Sequence, residues 1–477
     1  MWPAVPRAQT VTLDEFLTYL KQSHPLFEKE SLTVGVEEYS RDENLGGKDW
    51  HISSGPSFAR QNPMPPGAFS PERIEVAGVN ATAQRVFWKT GGRLSLSWAT
   101  DYTNQIGLPV ISIPFGEYLG DPTIPAFEID TGPSKYYQNN VYLTYSQPLL
   151  QNMGGVLDRL GYDLGELSVE IATVSARENQ EDFLLKMAMK FIDWVLLREQ
   201  VDIATERLNL TEQQLEQAQK KRASNLVDKV DVLRSEDAVR IAEQGVVLLK
   251  ARYEGIRAEL AVLTQNRELA TLDPDFNLYA GINIPPYTDA AATLRQNSRI
   301  LKTIGTQRKI LERQQTSLEE MIRPQLYMNT QLALKSGNSE FGNSIGSGKS
   351  DMGISLQLNY PLGSRAAHNR ARKNTLRIRQ MALAEEDAAL ALTASLRNTL
   401  IQLEEMEKAL DLNRRQIETA RLKTKEEQKR YSQGRGDLAF VIQSHDNEEN
   451  ARLNYAQNAA LYQKLALQMT ALIDQLI

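Results

Sequence analysis

The chain contains one run in which apolar side chains alternate with small or polar ones without exception: Met352-Gly353-Ile354-Ser355-Leu356-Gln357-Leu358-Asn359-Tyr360. Successive side chains of a β-strand point to opposite faces, so this run predicts a strand with one apolar face. Its length is also what a tilted strand needs to cross the hydrocarbon core of a membrane. On that interpretation the side chains facing lipid are Met352, Ile354, Leu356 and Leu358, and those facing a lumen are Gly353, Ser355, Gln357 and Asn359. A half-buried strand of a soluble antiparallel sheet shows the same alternation and stays open as an alternative.

A second, similar run precedes it. Residues 326–334 also alternate and contain no charge. Tyr327 and Tyr360, near the ends of the two runs, have the positions of aromatic side chains at a membrane interface.

Two long helical blocks, residues 156–270 and 364–477, are rich in Ala, Leu, Gln, Glu, Lys and Arg, which are strong helix formers. In the second block apolar residues recur every seven positions, in one series of Leu376, Leu383 and Leu390 and another of Leu396, Leu403, Leu410 and Ile417. This spacing is typical of coiled coils. Breaks at 223–225 and 431–436 contain Asn225 and Gly434, which suit the left-handed end of a helix, so each block is predicted to be a helical hairpin. An ordinary helical bundle is the alternative.

The sequence also indicates two repeats. Tyr145-Ser146-Gln147-Pro148-Leu149 stands before the first helical block as Asn359-Tyr360-Pro361-Leu362 stands before the second. We predict a first repeat over 1–270, with a helix, strands at about 50–58 and 137–147, and the hairpin 156–270. The second repeat, 271–477, has a helix at about 287–322, strands 325–335 and 351–361, and the hairpin 364–475.

The first repeat carries an enlarged loop or hairpin region, 59–134, which we expect at the outer mouth of a barrel. Gly91-Gly92 stands between two strand-like runs and predicts a two-residue hairpin turn. Two further strands per chain are therefore possible. Because residues 76–89 alternate poorly, the sequence favours four strands per chain over six.

Composition excludes several classes of protein. The 477 residues have a net charge of −6, which argues against nucleic-acid binding, and no cysteine, which excludes disulfides and thiolate metal sites. No run is long and apolar enough for a transmembrane helix. Met1-Trp2-Pro3 is too short and polar for a signal peptide, so we expect any export leader to have been removed.

Catalytic constellations are not indicated. Glu404 and Glu405 are adjacent on a helix and point about 100° apart, so they do not converge as an acid–base pair. Gly348-Lys349-Ser350 precedes a strand instead of a helix, unlike a phosphate-binding loop. The sequence predicts no enzyme activity, no metal and no cofactor.

The sequence contains the same series of elements twice: a helix, a strand pair closed by a Tyr-x-Pro-Leu-like element, and a very long helical hairpin. This arrangement resembles the TolC family of outer-membrane efflux proteins. The residues that carry the resemblance are Tyr145-Ser146-Gln147-Pro148-Leu149-Leu150, Tyr360-Pro361-Leu362-Gly363-Ser364, Tyr431-Ser432-Gln433-Gly434, Asp437-Leu438, Val441-Ile442 and Ala451-Arg452-Leu453-Asn454-Tyr455.

The resemblance implies an α+β membrane protein and a homotrimer, in which a transmembrane β-barrel in outer-membrane lipid is continued by an α-helical coiled-coil tunnel through the periplasm. It also implies a passive export conduit that works with a periplasmic adaptor protein and an inner-membrane transporter. The cargo is not indicated. A soluble periplasmic coiled-coil scaffold or adaptor is the alternative function, and it does not explain the charge-free strands.

The resemblance further implies a gate at the tips of the hairpins, where family members carry acidic residues. Val230-Asp231-Val232 matches that pattern in the first repeat, and Asp228 stands one turn earlier. Phe440 and Gln443 occupy the corresponding places in the second repeat. A carboxylate at Asp231 also suits the start of a helix, which is the alternative to a gating role.

Overall fold

The structure, a computed structural model, describes residues 10–64, 70–108, 111–129, 132–346 and 348–476. The helices are α1 (Leu13–Ser23), α2 (Pro25–Glu43), α3 (Phe115–Leu119), α4 (Val156–Ala223), α5 (Lys229–Leu263), α6 (Tyr287–Asn297), α7 (Arg299–Ile322), α8 (Phe341–Ser344), α9 (Arg365–Ser432) and α10 (Leu438–Leu472). The strands are β1 (Thr10–Thr12), β2 (His51–Gln61), β3 (Arg73–Phe87), β4 (Gly92–Ile106), β5 (Ile111–Ile113), β6 (Phe127–Ile129), β7 (Lys135–Pro148), β8 (Asp273–Asp275), β9 (Gln325–Asn338) and β10 (Lys349–Asn359). Within these ranges no helix is apolar over a length sufficient to cross a membrane.

Contacts within the chain define two units. The helical unit comprises residues 1–36, 170–306 and 381–477, and the sheet unit comprises 37–169 and 307–380. This division follows contacts and not sequence similarity, so it does not test the predicted repeats 1–270 and 271–477. They stay a prediction.

The helical hairpins have matching dimensions. Both α4 and α9 have 68 residues, and both α5 and α10 have 35. At 1.5 Å per residue each longer helix is about 100 Å long. The turns contain Asn225 at φ 58° and Gly434 at φ 73°, so the predicted left-handed helix ends are confirmed.

The helical core depends on one of the two seven-residue series. Leu396 and Leu403 are fully buried and pack with Leu400 and Tyr462. Leu376, Leu383 and Leu390 are instead 68%, 47% and 65% exposed. The stripe formed by these three residues is therefore largely uncovered by the described part of one chain.

The main sheet is antiparallel and has six strands in the order β10-β9-β7-β4-β3-β2. The preference for four strands per chain is therefore wrong. Strand β3 alternates poorly in sequence because one face is built largely from Ala77, Ala81 and Ala83, which are only weakly apolar.

The hairpin between β3 and β4 also differs in detail from the prediction. Strand β3 ends at Phe87 and β4 begins at Gly92, so the turn has four residues instead of two. Gly91 has φ 71°, and a Cβ atom there would lie 2.4 Å from the Asn152 carbonyl oxygen. The turn requires glycine at this position on both counts.

The remaining elements of region 59–134 form a small substructure between β4 and β7. Strands β5 and β6 pair with each other, and α3 lies between them in sequence. The helix predicted over 287–322 is interrupted at Ser298, whose hydroxyl oxygen accepts a hydrogen bond from the Leu301 amide. This bond starts α7 in the manner of a helix cap.

Candidate functional site

The apolar face of β10 is exposed along its length. The exposed fractions of Met352, Ile354, Leu356 and Leu358 are 68%, 63%, 67% and 65%. Opposite residues in an antiparallel pair share a face, so the register places Leu332, Thr330, Met328 and Leu326 of β9 on that same surface.

The same face continues across the whole sheet. Following the register through β7, β4, β3 and β2 adds the following apolar side chains: Val141, Leu143, Tyr145, Leu94, Leu96, Trp98, Ala77, Val79, Ala81, Ala83, Ile52, Pro56 and Phe58. We call this set, together with the β9 and β10 residues above, the apolar face. The same register also places Ser54, Arg85, Thr100 and Asn139 on this side, so the face is predominantly and not wholly apolar. Leu96, Trp98 and Phe58 are 45%, 42% and 66% exposed. A predominantly apolar surface of this extent is unusual on a protein that faces water on all sides.

Aromatic contacts lie at both ends of the strands. Phe87 and Tyr145 are in contact at 6.4 Å between ring centroids near the β3–β4 turn. Tyr102 and Tyr137 are 5.0 Å apart near the opposite end, and Tyr137 also contacts Phe341. Aromatic side chains at both borders of an apolar band are typical of membrane barrels.

The positions expected for Tyr327 and Tyr360 are only partly met. Tyr327 pairs with Gln357 and so lies on the face opposite Leu356. Tyr360 follows the last residue of β10 and is 46% exposed. Tyr327 alternates with Leu326 and Met328, so its side chain points away from the apolar face although it lies near the end of the strand.

The opposite face of the sheet is polar, and we call it the polar face. Its middle carries Ser53, Asn80, Thr82, Gln84, Ser95, Ser97, Asn140, Tyr142, Thr144, Asn329, Gln331, Ser355 and Gln357. The same face also carries charged side chains: the Lys335 ammonium is 2.8 Å from the Asp351 carboxylate, Lys335 lies opposite Asn140, and Asp351 lies in the row of Tyr142.

At the hairpin tips the structure places two of the predicted gate residues together. Asp228 and Asp231 line one cleft with Asp437. Gln443 lines a neighbouring groove, and Phe440 is 58% exposed and lies in neither.

The equivalent aspartates before α5 and α10 make different hydrogen bonds. Asp437 caps α10 by accepting a hydrogen bond of 2.8 Å from the Ala439 amide. Asp228 occupies the same position before α5 but makes no such bond. The capping role that carboxylates commonly have at a helix start is therefore filled at Asp437 and not at Asp228.

Arg234 connects the two tips. Its guanidinium lies 3.4 Å from the Asp231 carboxylate and 3.9 Å from that of Asp437. Arg234 was not among the predicted gate residues, because an Arg on an exposed helical face carries no sequence signal of its partner.

A second connection at the tips joins α4 to the end of α9. The Lys221 ammonium donates a 2.9 Å hydrogen bond to the Tyr431 carbonyl oxygen and lies 3.6 Å from the centre of the Tyr431 ring. Burial lowers the pKa of Lys221. Burial, and then the charges of Asp231 and Asp437, raise the pKa of Tyr431. The cleft is thus held by side chains from α4, α5 and α9 and by Asp437, which caps α10.

Comparison with solved structures identifies the fold. The chain is similar to the outer-membrane protein VceC of Vibrio cholerae, with 9% identity, a TM-score of 0.67 and coverage of 97% of this chain and 95% of that one. It is similar to the CmeC outer-membrane channel of Campylobacter jejuni, with 9% identity, a TM-score of 0.65 and coverage of 98% and 86%. It is also similar to the MtrE outer-membrane channel of Neisseria gonorrhoeae, solved in its open state, with 12% identity, a TM-score of 0.64 and coverage of 97% of this chain and 89% of that one. No protein-family model matches the sequence, and no curated protein matches it.

These matches cover nearly the whole chain and define its class: a protein with the fold of the outer-membrane channels, in which long helical hairpins accompany a β-sheet. The resemblance to the TolC family inferred from the sequence is thereby confirmed at the level of the fold.

Proposed function

We propose that this protein is the outer-membrane channel of a tripartite export system and acts as a passive conduit without a chemical reaction. The observation that carries the proposal is a six-stranded sheet in which one face is predominantly apolar across all six strands and largely exposed. An apolar sheet face of this kind suits contact with membrane lipid. The similarity to channel proteins supports the same conclusion.

The sheet edges support a homotrimer. Within the described residues, β2 and β10 each have a neighbouring strand on one side only. In lipid an open edge leaves backbone groups unpaired, so the edges must meet those of other copies. Three copies would close a barrel of eighteen strands. The exposed stripe of Leu376, Leu383 and Leu390 supplies a second surface for a neighbouring copy.

The partners and location follow from this role. The barrel would lie in the bacterial outer membrane and the helical hairpins in the periplasm, where an adaptor protein would link them to an inner-membrane transporter. The alternative, a soluble periplasmic scaffold or adaptor, leaves the apolar face of the sheet in water.

Membrane extraction and conductance test the proposal. We expect the protein to require detergent for extraction and, after reconstitution in planar lipid bilayers, to give single-channel currents. Recovery in the aqueous fraction, or a reconstituted protein that never conducts, would contradict a channel and favour the scaffold.

We also propose that the hairpin tips form the gate, with Asp228, Asp231, Phe440 and Gln443 around the threefold axis. Three copies of Asp231 would favour cations, and Phe440 would narrow the opening by bulk and dewetting. Asp231→Ala should therefore reduce cation preference, and Phe440→Ala should raise single-channel conductance.

The control for the gate variants is Asp411→Ala on α9, which removes a carboxylate paired with Arg415 at 2.8 Å. It should leave conductance and ion preference unchanged. If Asp231→Ala and Phe440→Ala also behave like the control, the gate lies elsewhere, and Asp231 serves only the start of α5.

A further inference from the structure

A pocket of about 650 Å³ opens beside the turn between β3 and β4, and we call it the border pocket. Its lining includes Lys48, Arg85, Phe87, Lys89, Leu94 and Tyr145. The register places Leu94 opposite both Arg85 and Tyr145, so these three side chains lie on the side of the sheet that carries the apolar face. Phe87 follows Arg85 by two positions on β3 and lies on the same side.

The border pocket stands at the end of the sheet from which α4 continues. The Gln147 side-chain amide donates a 2.8 Å hydrogen bond to the Thr90 carbonyl oxygen of the β3–β4 turn. Gln147 is the next-to-last residue of β7, and α4 follows at Val156. Because the proposed channel has its long helices in the periplasm, the pocket lies at the periplasmic border of the membrane.

Two of the cations in the pocket are held beside aromatic rings. The Lys48 ammonium lies 4.2 Å from the centre of the Trp88 ring, and Trp88 is buried. The Arg85 Nε donates a 2.9 Å hydrogen bond to the Lys48 carbonyl oxygen, and the guanidinium lies 5.9 Å from the centre of the Trp50 ring. Contacts of this kind fix a cation without neutralising its charge.

The pocket combines positive charge with an apolar wall. Among the described residues that line it there is no Asp or Glu, and Asp49, next to Lys48 in sequence, is not one of them. Basic side chains at a membrane border attract anionic lipid, and a guanidinium binds phosphate through parallel hydrogen bonds. The wall formed by Phe87 and Leu94 continues into the apolar face, where acyl chains would lie.

We propose that the border pocket binds the headgroup phosphate of an anionic phospholipid in the periplasmic leaflet of the outer membrane. The inference rests on the proposed channel function, since a leaflet meets this pocket only if the sheet spans the membrane. Free phosphate would be attracted by the same charges but would leave the apolar wall in water. A phospholipid matches both the cations and the wall, and it is the ligand that the pocket fits.

Native mass spectrometry of the detergent-solubilised protein tests the site. Titration with phosphatidylglycerol, and separately with phosphatidylethanolamine of the same acyl chains, gives an affinity for each lipid. We expect phosphatidylglycerol to bind about tenfold more tightly, because each Lys or Arg at the membrane surface attracts an anionic headgroup.

A double variant and a matched control locate the binding. Lys48→Gln with Lys89→Gln removes two charges but keeps the Lys48 carbonyl oxygen to which Arg85 donates, so the preference should fall to about twofold while the fold is retained. The control is Arg93→Gln, which removes a cation next to Leu94 in sequence but on the polar face. It should keep the full preference. If the double variant binds phosphatidylglycerol as the unsubstituted protein does, the border pocket is not the lipid site and the inference is wrong.

Washing the lipid-loaded protein with excess inorganic phosphate before the measurement separates lipid from free anion. Bound phosphatidylglycerol should remain, and its complete displacement would show an anion site and overturn the lipid assignment. A protein that conducts in planar bilayers but has no preference for phosphatidylglycerol would refute the lipid site while the channel stands. Recovery in the aqueous fraction would instead overturn the proposed function, and the placement of the pocket with it.

Discussion

Replacing Leu356 with Arg is expected to reduce the stability of the folded protein in lipid by about 2–4 kcal/mol, whereas Gln357→Arg should cost much less. Leu356 lies in the middle of the apolar face of β10 and is 67% exposed in one chain. In the proposed barrel that side chain meets lipid near the bilayer midplane, where a guanidinium loses its hydration. Gln357 lies on the polar face, where water fills the lumen.

Denaturant unfolding of each variant in liposomes, compared with the unsubstituted protein, measures the difference. The two positions are adjacent and share the same strand, so they match in strand propensity and in distance from the edge of the sheet. Equal losses of stability at Leu356 and Gln357 would show that β10 has no lipid-facing side. They would then favour a soluble sheet.

Whether a strand could be predicted from the sequence depended on the size of its apolar side chains. The strands β9 and β10 could be predicted because Leu, Met and Ile alternate with Gln, Asn and Ser, and the contrast between the faces is large. On β3 the apolar face carries Ala77, Ala81 and Ala83 around Val79 and then Arg85, while Val76 and Val86 lie on the polar face, so the two faces of this strand differ little in sequence. Its membership in the sheet becomes visible only through its pairing with β4.

At the hairpin tips, prediction from the sequence was limited in a different way. Helix ends could be predicted at Asn225 and Gly434, because a left-handed conformation has a local residue preference. The pairing of Arg234 with Asp231 and Asp437 could not, since it joins two segments far apart in the chain. Local signals locate the tips, and only the packing of α5 against α10 shows which charges meet there.

A second large effect is expected at Arg299, at the start of α7. Its guanidinium is within 3.4 Å of the Glu178 carboxylate and 3.2 Å of the Asp474 carboxylate, and it also pairs with Glu181. The side chain of Glu181 is 4% exposed and that of Asp474 is 10% exposed. One largely buried cation therefore pairs with three carboxylates, two from α4 and one from the segment after α10, and offsets part of their negative charge.

The backbone reinforces this cluster. The Arg299 amide donates a 3.0 Å hydrogen bond to Asp474, and the Leu476 amide donates one of 2.9 Å to Glu181. These bonds hold the Glu181 and Asp474 carboxylates in the interior when the guanidinium is removed. Arg299→Met should therefore lower the free energy of unfolding by about 3–5 kcal/mol, the cost of leaving buried charges without a partner.

The control is Arg415→Met, which removes an Arg from an ion pair on the exposed surface of α9. Surface pairs contribute about 0–1 kcal/mol, so this variant should unfold nearly as the unsubstituted protein does. Loss of helical circular dichroism in denaturant, measured in the same detergent for both variants, gives the comparison. Equal stability of the two variants would mean that the Arg299 cluster is solvated and not buried.

The loss at Arg299 should also depend on pH. Burial raises the pKa of Glu178 and of Asp474, while the charge of Arg299 opposes both shifts. Removing Arg299 should raise both pKa values further, so the folded variant binds protons that the unfolded chain releases. A carboxyl with a raised folded pKa stabilises the protein at low pH, and this contribution is lost as pH rises through that pKa. The stability gap between Arg299→Met and the unsubstituted protein should therefore narrow as pH falls from neutral toward about 4, the ordinary range of carboxyl groups. A gap that stays constant over this range would show that the three carboxylates are not what makes the loss of Arg299 costly, and that lost packing by its side chain accounts for it.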